Sequence, residues 1–161
     1  MHVAKTIHAL LKRLGRVVRL ARPRRMSEHA RRARRLGRRG EALAADFLRS
    51  SGWRVLARNV RLPMGEADIV ALSPDGVTRV VVEVKTRRRV AGQAPRSATA
   101  MPEESVTSRK RRTLLAIARH LARANGWSSV RIDIVAVEWG PRVATLRHHA
   151  GQVGRFRPGS C

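Results

Sequence analysis

The sequence predicts an α/β layer fold with a mixed central sheet, and three observations predict it. Helical and strand periodicities alternate in the order helix, three strands, helix, two strands. Four valines, at 80, 81, 82 and 84, fall on both faces of one strand, as in a strand covered on both sides. Of the 161 residues 43% are apolar, enough for one core, yet no run reaches the ~18 apolar residues that span a bilayer.

Each element has its own signal. A helix opens at Ser27 and shows Gly40, Leu43, Ala44, Phe47 and Leu48 on one face, until Ser50-Ser51-Gly52 ends it. Residues 53–60 read as a strand, with Val55 and Ala57 alternating against Arg54 and Arg58. Pro63-Met64-Gly65 turns the chain into a second strand over 66–72. Ser73-Pro74-Asp75-Gly76 is a strong turn signal, so residues 77–87 return as the antiparallel partner. Residues 88–104, with Gly92, Pro95 and Pro102, show no period; connections of that length tend to serve function. A second helix over 107–125 carries Leu114, Leu115, Ala118, Leu121 and Ala122 on one face and stops at Gly126. Strands over 130–138 and 142–147, joined at Gly140-Pro141, close the domain. The expected organisation is a basic helical extension over 1–36, a folded domain over 37–150 and an irregular tail over 151–161.

Charge narrows the function. There are 35 Lys+Arg against 11 Asp+Glu, a net charge of +24, which makes a polyanion the default partner and nucleic acid the first choice. Residues 1–40 hold 14 of the cations and a single acid, Glu28. Within them Val3, Ile7, Leu10, Leu11, Leu14, Val17, Val18 and Ala21 recur at helical spacing, with Lys5, Lys12, Arg13, Arg16 and Arg19 between them. Such a helix can lie on an anionic membrane or dock on a partner; it can equally be a dispensable extension, and Met26 offers a second start. No secretory h-region is present, which points to the cytoplasm. The lone Cys161 excludes a disulfide framework and a Cys-based zinc site. Of the basic residues 31 are Arg and four are Lys (Lys5, Lys12, Lys85, Lys110), so the compact, tunable ammonium groups stand out.

The chemistry concentrates in the third strand. Glu83 and Lys85 are two residues apart, so they share a face, ~7 Å apart along the strand. Charges in so apolar a strand are costly unless they pair or bind something. Asp68 lies between apolar neighbours on the second strand, and the hairpin brings it near Glu83. Two carboxylates so placed repel unless a cation sits between them, and oxygen ligands with open positions suit Mg²⁺ or Mn²⁺. An acidic pocket in a basic protein then reads as a site that gathers a phosphate backbone and hydrolyses it, with Lys85 orienting the attacking water.

Asp68 with Glu83-Val84-Lys85 resembles the D…ExK signature of restriction-endonuclease-like nucleases, a group that includes the archaeal Holliday-junction resolvases. The wider pattern resembles the bacterial YraN family. It comprises Gly40-Glu41, Ala44, Gly52-Trp53, Asn59, Gly65 to Ile69, Val82 to Arg87, Lys110 and Arg131-Ile132-Asp133. The resemblance implies a restriction-endonuclease-like fold, metal ligands at Asp68 and Glu83, Lys85 as catalytic lysine, and Glu41 as the extra acid of the resolvase branch. Ala67 stands where the family commonly has a larger aliphatic residue, and the arm before Met26 has no counterpart.

Phosphate contacts are expected from Arg87, Arg88 and Arg89 after the third strand and from Arg109, Lys110, Arg111 and Arg112 at the start of the second helix. With two Phe, three Trp and no Tyr, base stacking is poorly supplied, so backbone binding to duplex or branched DNA fits better. Cleavage of junctions would favour a symmetric homodimer. His148-His149 lacks a third partner at metal spacing and reads as surface. The expectation is a Mg²⁺-dependent endonuclease; the competing classes are a non-catalytic binder with the same fold and a membrane or partner adaptor.

Overall fold

The computed structural model describes residues 27–89 and 106–156. The expected amphipathic helix of the arm, most of the long connection and residues 157–161 lie outside them. The elements are α1 (Glu28–Ser50), β1 (Arg54–Leu62), β2 (Gly65–Leu72), β3 (Arg79–Arg88), α2 (Ser108–Asn125), β4 (Val130–Trp139) and β5 (Ala144–Phe156). Both helices start where a hydroxyl can cap them: Ser27 accepts the N–H of Ala30 and Thr107 that of Lys110. Gly126, left-handed at φ 63°, ends α2 as its sequence signal implied.

The five strands form one sheet in the order β1-β2-β3-β4-β5. Only β3 and β4 are parallel, linked through α2; the other neighbours are antiparallel. The valine run therefore occupies the central strand, and alternation distributes it. Val80 and Val82 pack with Ala44, Ala45 and Leu48 of α1, while Val81 packs with Leu114, Ile117 and Ala118 of α2. The helices cover opposite faces, giving the mixed α/β architecture of a nuclease-like fold. Among the described residues no helix is long and apolar enough to cross a membrane.

Two expectations need correction. Val55 and Ala57 do not alternate simply, because the β1–β2 register shifts between them. Val55 packs on the α1 side, whereas Leu56 and Ala57 pack on the α2 side, as a bulge allows. Residues 151–156 are not irregular either: β5 continues to Phe156, so ordered structure extends past residue 150. The register shifts at Asp133, with Ile132 opposite Gly154 and Ile134 opposite His149. The fully buried Asp133 pins the loop-out by accepting the Gly151 N–H at 2.8 Å, and Gly151 takes φ 72° there. Gly151, the expected start of the irregular tail, is the bulge residue that lets the strand go on.

Candidate active site

The site begins where the β2–β3 ladder ends. Pairing runs from Leu72↔Arg79 to Ile69↔Val82 and goes no further, so Asp68 and Glu83 come next to each other without pairing. The Val84 N–H, which a continuing ladder would give to a carbonyl, donates instead to Asp68 Oδ2 at 2.7 Å. The backbone carbonyl of Glu66 accepts from Lys110 Nζ at 3.3 Å. That reach depends on Gly65, at φ 151°, where a Cβ would stand 2.5 Å from Thr113 Cγ2 of α2.

Glu83 is the hub. Its side chain is 5% exposed, with Oε1 3.0 Å from Lys85 Nζ and Oε2 2.8 Å from Lys110 Nζ. Glu41 comes from α1, which lies tight on β3 because a Cβ at Gly40 would fall inside the Thr86 side chain. One Glu41 oxygen is shielded from solvent and has no hydrogen-bond partner among the described residues.

Burial pushes the Asp68 carboxyl up to about 7, with repulsion from Glu83 next in weight and Glu41 adding to it. The Val84 N–H and the Lys110 ammonium oppose the rise without cancelling it. The folded state thus holds this proton more tightly than the unfolded chain does. The benefit is complete below the ordinary Asp value of 3.8 and is lost as pH rises towards about 7. Asp68→Asn, isosteric and always neutral, is expected to match wild type in chelator at about pH 4 and to exceed it by on the order of 2–4 kcal/mol at about pH 8. Urea melts of the two proteins at several pH values check this; a difference that does not grow with pH contradicts it.

Asp68 and Glu83 suit a hard divalent cation. Burial and the neighbouring Glu83 charge raise the proton affinity of Asp68, and a bound cation would relieve both. Among the described residues no group of three His, Cys, Asp or Glu side chains converges on a metal position, so a cation here would have two carboxylates at most. Mg²⁺ commonly keeps several waters on such a set.

The other predicted residues divide. Arg87 is engaged internally: its guanidinium bonds the buried Glu138 at 2.9 and 3.1 Å. Arg88 and Arg89 line a groove of about 480 Å³ with Arg39, Trp139 and Arg142, at the end of β3. Arg109, Arg111 and Arg112 are exposed on the first turn of α2, which contains no acid. Lys110, expected among the phosphate contacts, instead joins the carboxylate cluster. Its rarity as a lysine was the sequence signal that could have placed it there. His148 is not a surface residue; its side chain is 18% exposed and its Nε2 lies 2.8 Å from Asp133 Oδ2.

Comparison with known proteins agrees with these motifs. The pattern of "Uncharacterised protein family UPF0102" matches residues 40–137, from the Gly40 contact into β4. A UPF0102 protein of Symbiobacterium thermophilum is 46% identical over 111 residues, covering 68% of this chain and 86% of its own. One of Acidothermus cellulolyticus is 44% identical over 129 residues, covering 70% and 90%. A third, from Mycobacterium tuberculosis, is 40% identical over 107 residues, covering 66% and 80%. The chain therefore belongs to family UPF0102, the YraN family that its motifs resemble.

Proposed function

We propose that this protein is a nucleic-acid-binding, Mg²⁺-dependent endonuclease acting on duplex or branched DNA. The observation that carries the reading is the meeting of Asp68, Glu83 and Lys85 where two central strands part. Asp68 and Glu83 would hold the cation, which when bound acidifies water and neutralises phosphoryl charge. Lys85, a third exposed beside Glu83, directs its ammonium to the attacking water and the charge building on phosphorus. Arg109, Arg111 and Arg112 hold the phosphate backbone near that point through charge, without reading sequence.

One observation favours a second reading, binding without turnover: both Glu83 oxygens already have a lysine partner. Incubation of supercoiled plasmid and four-way junctions with the purified protein separates the two, using Mg²⁺ or Mn²⁺ against chelator. Metal-dependent nicking is expected. Retardation of every substrate without cutting moves the assignment to the non-catalytic binder. Neither binding nor cutting rejects both and leaves the adaptor, whose expected helix falls outside the described residues.

A further inference from the structure

We infer that Lys110 is a built-in counter-cation of this site, competing with a divalent cation for the same oxygens, so that cation binding and release of Lys110 are one event. The inference rests on Asp68 and Glu83 being the cation's ligands.

Position, charge and residue choice support it. The Lys110 ammonium lies 2.8 Å from Glu83 Oε2 and 3.3 Å from the Glu66 carbonyl, and its charge acts on Asp68. It thus sits among the oxygens a cation would use. Lys85 holds Oε1 of the same carboxylate, so Oε2, which has no hydrogen-bond partner among the described residues, is the oxygen Glu83 has to offer, and the Lys110 charge stands 2.8 Å from it. An ammonium and a divalent ion cannot share that oxygen closely without strong mutual repulsion.

Helix formation does not account for a lysine here. Lys110 stands at the third position of α2, with Arg109, Arg111 and Arg112 and no acid in that turn, where the macrodipole disfavours cations. The Thr107 cap holds its backbone, so the side chain can move while the helix start stays put. Residue choice points the same way. In a chain with 31 arginines, Lys85 and Lys110 are the lysines of the described residues, and both face Glu83. A guanidinium would fork onto the carboxylate, whereas a compact ammonium on a flexible stem can yield the oxygen. At 28% exposure the Lys110 side chain already reaches solvent.

The test uses the full-length protein and Mn²⁺ alone. Calorimetric titration of Lys110→Met should show Mn²⁺ affinity raised about tenfold or more over wild type, through loss of the competing charge. Equal or weaker binding by the folded variant overturns the inference. Should the variant not fold, wild type answers by itself. Timed acetylation followed by mass spectrometry should find Lys110 reacting severalfold faster in saturating Mn²⁺; an unchanged or slower rate overturns competition. Binding in wild type that Asp68→Asn removes keeps the ligand assignment, and Lys110 then stands or falls on those two results. Binding absent from both wild type and Lys110→Met rejects the ligand assignment and Lys110 with it, whereas binding confined to Lys110→Met is the strongest support for competition.

Discussion

Lys85→Ala is expected to reduce metal-dependent cleavage by about 10³-fold while leaving duplex affinity within roughly threefold of wild type. The asymmetry follows from position. Lys85 is one cation in a chain of net charge +24, and phosphate binding spreads over many contacts, so its loss from affinity is small. Its ammonium is 3.0 Å from Glu83, at the carboxylate that would hold the cation, where an oriented positive charge counts most in the transition state. Folding should survive, because Glu83 keeps its 2.8 Å partner Lys110. Single-turnover nicking and fluorescence anisotropy on the same preparations provide the comparison. Cleavage by the variant within about tenfold of wild type would remove Lys85 from the chemistry.

Asp133→Ala is expected to be the most destabilising single change, costing on the order of 3–5 kcal/mol. Asp133 is fully buried, yet its carboxyl lies below the ordinary Asp value. Burial pushes it up, and hydrogen bonds from His148, Arg131 and the Gly151 N–H more than offset that. Arg131 contributes two of those bonds, at 2.7 and 2.9 Å. Truncation would leave a guanidinium only 14% exposed without a counter-charge, orphan the Gly151 N–H and release the β5 bulge. Trp53 reports on the event, since His148 packs edge-on against its ring at 5.1 Å and Arg131 lies over it at 5.7 Å. Urea unfolding followed by tryptophan fluorescence is the measurement. A loss below about 1 kcal/mol would mean that the network is not what holds β4 to β5. The sign with pH is opposite to that of Asp68: this contribution is present above the ordinary Asp value and lost as acid protonates the folded carboxyl.

Glu83 and Lys85 were legible in one dimension because strand alternation is a local rule: residues two apart share a face whatever else the chain does. Asp68 was legible nearly as well, since the Ser73 to Gly76 turn returns β3 along β2 and brings the carboxylate to its partner strand. The ion-pair partners were harder. Arg87 follows Glu83-Val84-Lys85 closely in sequence, yet its guanidinium is bound to Glu138, 51 residues away on a parallel neighbour. Nothing in the spacing of an Arg-rich chain distinguishes that arginine from Arg88, which lines an open groove.

Periodicity, turn residues and the interrupted valine run were sufficient for the α/β class, the central strand, both helices and the carboxylate–lysine pair, because each depends on the preferences of neighbouring residues. Three things required the folded chain: the parting of β2 from β3, the second lysine on Glu83, and the continuation of β5 through its bulge. All three arise from contacts between residues far apart in sequence. Lys110 meets Glu66 across 44 positions and Asp133 meets Gly151 across 18, and the energy of a buried charge depends on which groups the topology sets against it.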